Sequence, residues 1–85
     1  IGLVNHVLPL DEFATEIEKR AAALAAKAPV GLEQAKASIN AGADADLTTA
    51  CAYEAEAFAV TFASEDRTEG MRAFLDKRPP GWRGR

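Results

Sequence analysis

A single cysteine and a single histidine remove several chemistries from this 85-residue chain at once. Cys51 has no second cysteine to pair with, so no internal disulfide can form. Its alanine-rich setting marks it as a small buried residue rather than a nucleophile. That usage fits a reducing compartment, and a cytoplasmic location is expected. His6 has no Cys, Asp or Glu at ligand spacing around it, so it reads as a partly exposed structural side chain and no metal site is expected. With one histidine there is no Ser/His/Asp order, and no glycine-rich phosphate loop follows a strand. Positive charge is also scarce: 10 Lys and Arg stand against 13 Asp and Glu, a net charge of −3, which argues against nucleic acid as a partner. No apolar run approaches the roughly eighteen residues that a spanning helix needs, so no membrane partner is expected.

What remains is helix-forming sequence. Hydrophobic residues make up 48% of the chain, much of it alanine, so helices can approach closely while each contact buries little. A chain this short is at most one domain, marginally stable alone and expected to self-associate. Residues 1–8 are apolar and β-branched, and read as a short strand or extended entry whose partners lie elsewhere. Starting at Ile1 inside that stretch, the chain is expected to be a piece of a longer protein.

Apolar periodicity and punctuation then predict helices over 10–28, 30–41, 47–63 and 65–77, with a tail at 79–85. In the first, Phe13, Ile17, Ala21, Leu24 and Ala28 recur at helical spacing, Glu16 and Arg20 form an i, i+4 pair, and Pro29 closes it. The second is marked by Leu32, Ala35, Lys36 and Ile39, and the run NAGADAD over 40–46 ends it. That run lacks the ligand spacing of a calcium loop and reads as a turn. Asp46 or Thr48 caps the third, striped by Ala50, Cys51, Ala55, Phe58, Ala59 and Phe62. Glu54 and Glu56, two apart, point to different sides of it and are no acid/base pair; Glu54 is expected to pair with Lys36 or Arg67.

The closing helix is the most tightly specified stretch. Ser64 is a good N-cap, Glu65 and Asp66 suit the first turn, Lys77 and Arg78 suit the last, and Pro79 stops it. Met71, Phe74, Leu75 and Arg78 form a stripe expected to pack, while Glu69, Arg72 and Asp76 form a solvated charge ladder. Gly70 interrupts the helix at a cost of roughly 1 kcal/mol against alanine, which implies close approach by another element. Of the tail PPGWRGR, only Trp82 can anchor, by covering an apolar patch.

Asp66, Glu69-Gly70, Ala73-Phe74 and Lys77-Arg78 in fixed register, with GLVNHV at 2–7, Ala35-Lys36 and Glu54 four residues before Phe58, resemble the carboxy-terminal part of the enoyl-CoA hydratase/isomerase (crotonase) family. The resemblance implies an all-α piece of three to four helices after a short extended segment, the trimerisation region of that fold. It also implies a parent that assembles as a trimer or hexamer, acts on coenzyme A thioesters, most simply by hydrating a 2-enoyl-CoA through an enolate, and needs no further cofactor. The amides and carboxylates of that mechanism lie upstream, so no catalytic residue is assigned here and the piece alone is expected to be inactive. Phe74 and Lys77, i and i+3, are by resemblance the residues over the adenine and the 3′-phosphate of coenzyme A. From the residues alone, Phe74 could equally be core and Lys77 a helix-dipole charge. A free-standing helical interaction module is the alternative. An acyl-carrier-like domain is disfavoured, because Ser64 is explained as a cap.

Overall fold

The computed structural model describes all 85 residues. It is all-α: α1 (Leu10–Ala25), α2 (Pro29–Ala43), α3 (Leu47–Ala63) and α4 (Glu65–Leu75), with no strand. Of the two readings of 1–8, strand or extended entry, the structure shows no strand. A strand is made by the hydrogen bonds of a neighbour, and this chain supplies none, so residues 1–7 lie exposed.

Helix boundaries follow local chemistry. α1 opens with Glu12 N–H bonding to Pro9 O (3.1 Å) and carries Asp11 and Glu12 in its first turn. It stops at Ala25, short of the expected residue 28, because Ala28 precedes Pro29 and is driven to an extended ψ of 117°. Pro29 then takes the first position of α2, where its missing N–H costs nothing. α2 runs on to Ala43, past the expected 41, with Gly42 inside it. Asp46 caps α3 with both oxygens, accepting from Thr49 N–H (3.1 Å) and the Thr49 hydroxyl (2.7 Å), which depresses its pKa and makes the NAGADAD run a capping turn. Ser64 serves two helices at once, donating to Thr61 O (2.7 Å) at the end of α3 and accepting from Arg67 N–H (3.2 Å) at the start of α4.

The chain has almost no core. α2 and α3 pack along their lengths as a hairpin, α4 meets α3 near their shared corner, and α1 has no helix packed along it. The radius of gyration is 16.3 Å, against about 12 Å for a compact domain of this length, and the molecule is a plate of 43 × 40 × 18 Å. Only Ala57, Ala73 and Asp66 are buried. Cys51 is therefore exposed, contrary to expectation, since no element of the chain covers its side of α3. Phe13, Ile17 and Leu24 of α1 stay about half exposed for the same reason.

The expected Glu54 ion pair is also absent. Glu54 is exposed on the rim of a groove between α2 and α3, beside Gln34 and Ser38, and makes no salt bridge with Lys36 or Arg67. Arg67 lies instead over the Phe62 ring, 4.3 Å from its centroid, with Nε buried and unpaired. The exposed Glu16–Arg20 pair does form, at 3.1 Å.

Candidate functional site

The site is built where α4 ends and the tail turns back. α4 buries its polar and small face: Asp66, Glu69, Gly70 and Ala73, at i, i+3, i+4 and i+7, lie toward the tail, and Asp66 and Ala73 are 2% exposed. The stripe of Met71, Phe74 and Leu75 expected to pack faces outward instead, because the chain offers it no partner.

Two carboxylates of that inner face hold the tail by its backbone. Asp66 accepts from Arg83 N–H (2.7 Å) and Gly84 N–H (2.9 Å), so both oxygens of this buried group are satisfied. Arg85 O in return accepts from Glu65 N–H (2.8 Å) and Asp66 N–H (3.3 Å), first-turn donors left free by α4. Glu69, expected in a solvated ladder, takes Arg78 in a two-pronged pair (2.6 and 3.0 Å) and accepts from Gly81 N–H (2.8 Å). The Arg78 guanidinium, then the Gly81 amide, lower the Glu69 pKa from 4.5 to about 2. The same pairing raises the pKa of Arg78.

Trp82 is half-buried and spans two elements. Its indole N–H donates to Ala26 O (2.8 Å), just past α1, and its ring lies on Gly70, where an added Cβ would come within 3.1 Å of ring carbon. Close approach at Gly70 was legible from the sequence; that the approaching group is the tail's own indole was not. The expectation that Trp82 alone anchors the tail is too narrow, because Asp66 and Glu69 hold it as well. Their signal was present as two acids three apart on the helix preceding a glycine-rich tail, but acids on a short helix usually read as solvated charge.

Of the two sequence-predicted site residues, Phe74 is on α4 and 83% exposed, so it is no core residue of this chain. Lys77 is not on the helix. α4 ends at Leu75, two residues before the expected 77, and Lys77 stands in the left-handed region with φ 54°. Lys77 N–H bonds to Phe74 O (3.3 Å) and Arg78 N–H to Ala73 O (3.0 Å), the paired closure of a Schellman motif. That position usually belongs to glycine, since a Cβ there is disfavoured by about 1 kcal/mol or more. Lys77 is exposed and takes no acid within the chain, while Asp76 and Glu69, the acids nearest in sequence, pair with Arg78. No group of His, Cys, Asp and Glu is arranged to hold a metal, and no helix is long and apolar enough to cross a membrane. Chemically, this end of the molecule presents an aromatic face and an unneutralised ammonium three residues apart, suited to binding an anionic aromatic ligand rather than to bond making.

Known proteins share this fold. A crotonyl-CoA hydratase of Syntrophomonas wolfei is 41% identical over 78 residues, covering 92% of this chain and 30% of that protein. A crystal structure of an enoyl-CoA hydratase from Bacillus anthracis superposes with a TM-score of 0.94 at 32% identity, over 99% of this chain and 33% of its own. One from Geobacillus kaustophilus gives 0.90 at 39% identity, over 99% and 32%. The chain thus spans about a third of the length of the curated relatives and solved structures it matches. The model of the family described as enoyl-CoA hydratase/isomerase matches residues 1–85, the whole chain, and this establishes that the chain belongs to the enoyl-CoA hydratase/isomerase family.

Proposed function

We propose that this chain is the carboxy-terminal helical segment of an acyl-CoA enzyme, which closes over the coenzyme A end of the substrate and joins subunits through its apolar faces. The observation that carries the reading is Lys77. A lysine standing where the backbone favours glycine, with no acid of its own and an 83% exposed Phe74 three residues before it, is costly as structure and apt as a ligand contact. Phe74 flanks the adenine and Lys77 meets the 3′-phosphate. The parent hydrates a 2-enoyl-CoA, using amides and carboxylates outside this chain to stabilise an enolate and move protons, with no cofactor beyond the thioester substrate itself. Relatives named as crotonyl-CoA and short-chain-enoyl-CoA hydratases support that substrate class. On this reading the piece alone is inactive, because the amides and carboxylates that stabilise the enolate and move protons are assigned outside it. Its location is cytoplasmic, and trimers or hexamers are the assembly that covers the bare faces of α1 and α3.

The test is Lys77→Ala in the complete polypeptide that carries this segment. KM for the acyl-CoA rises by roughly fivefold, the size of one solvent-accessible ion pair, and kcat stays put, since the contact is the same in ground and transition states. An unchanged KM overturns the assignment.

A further inference from the structure

We infer that the Glu69–Arg78 ion pair is a positioning device for Lys77, holding its backbone left-handed and keeping neighbouring acids away from its ammonium. The inference rests on the coenzyme A reading and goes beyond it by naming residues that touch no ligand.

Two observations carry it. First, Lys77 sits in a conformation its Cβ disfavours, so something must hold it there. Arg78, the next residue, is fixed from three sides: its N–H closes the helix on Ala73 O (3.0 Å), its guanidinium takes both oxygens of Glu69 (2.6 and 3.0 Å), and Pro79 restricts its backbone. Glu69 is itself tied to the tail through Gly81 N–H (2.8 Å), so the clamp is anchored on both sides of Lys77. Second, Arg78 Nε lies 3.4 Å from Asp76, the residue before Lys77, and so engages the one carboxylate beside that ammonium. With Arg78 satisfied by two acids, Lys77 is left as an unneutralised cation; with Arg78 removed, Asp76 becomes free to neutralise it.

The experiment measures the affinities of the complete acyl-CoA enzyme for coenzyme A and for 3′-dephospho-coenzyme A by titration calorimetry. The ratio of the two reads the 3′-phosphate contact alone, whereas a general loss of structure lowers both together. The native protein prefers coenzyme A, and Lys77→Ala brings the ratio close to one. Arg78→Ala and Glu69→Gln each lower it by roughly threefold or more, the weight of a partly exposed ion pair, while binding of the dephospho form is unchanged. Glu69→Gln keeps an oxygen for Gly81 N–H and the shape of the site, so it decides the matter if Arg78→Ala does not fold. A ratio that survives Lys77→Ala overturns the coenzyme A reading itself. A ratio lost in Lys77→Ala but kept in full in folded Arg78→Ala and in Glu69→Gln overturns the positioning role alone.

Discussion

α1 and α4 solve opposite problems. α1 has the cleaner apolar stripe, Phe13, Ile17 and Leu24, yet no helix is packed along it, and its side chains remain about half exposed. α4 turns its larger apolar residues outward and buries Asp66 and Ala73, with Gly70 half-buried beside them, under a tail of prolines, glycines and arginines. The difference shows what 85 residues can close by themselves. Directional bonds between neighbouring segments are complete within the chain, whereas apolar faces need more surface than it owns. The hydrogen-bonded strap is finished; the hydrophobic layer is waiting for a cover.

The sharpest way to break that contrast is Asp66→Ala. It leaves Arg83 and Gly84 N–H without their acceptors in a partly buried place, and the tail is expected to detach at a cost of about 2 kcal/mol. Trp82 is the only tryptophan, so its fluorescence reads the outcome directly: the emission shifts red as the indole leaves Gly70 and Ala26. A spectrum like the native one would mean that Trp82, not Asp66, holds the strap.

The converse test is on α1. Replacing Phe13 and Ile17 with serine removes only half-exposed side chains that no other helix packs along, so its thermal midpoint is expected to move little, with a stability change of about 0.5 kcal/mol or less. Its solution mass, however, should fall from the proposed oligomer to a smaller species by light scattering at micromolar concentration, because the exposed stripe is a face that the proposed self-association would cover. A loss of stability with the mass unchanged would place α1 in a core of its own.

Acid separates the two regions by a smaller effect. The Glu69 carboxyl titrates at about 2 in the folded chain against an ordinary 4.5, so its clamp contributes fully above about pH 4.5 and is lost as pH falls toward 2. Trp82 fluorescence should follow that loss, and Glu69→Gln should flatten the profile through this window. α1 has no counterpart of such a clamp. The smallest effect belongs to its surface pair: Arg20→Ala, which removes the exposed contact to Glu16, is expected to cost roughly 0.3 kcal/mol, visible only as a slight drop in helicity by circular dichroism.

Sequence alone determined the all-α class, the four helices, a cap at Ser64 and one at Asp46 or Thr48, the close approach at Gly70 and the resemblance carried by the residues of α4. Each follows from chemistry between residues a few positions apart: caps, prolines, helical spacing. Tertiary structure decided what a local pattern cannot carry. The 1–8 segment is no strand without a neighbour to bond it, Cys51 and the Phe74 stripe are bare without a cover, and Glu54 finds no cation. Asp66 and Glu69 became tail-binding groups because residues 17, 18 and 12 positions further on fold back to meet them. Helix ends moved where two demands met: Pro29 pulled Ala28 out of α1, and the closure of α4 on Ala73 put Lys77 into the left-handed region. A helical period places a residue on a face, but which face is buried depends on what returns to cover it, and for α4 that was its own tail.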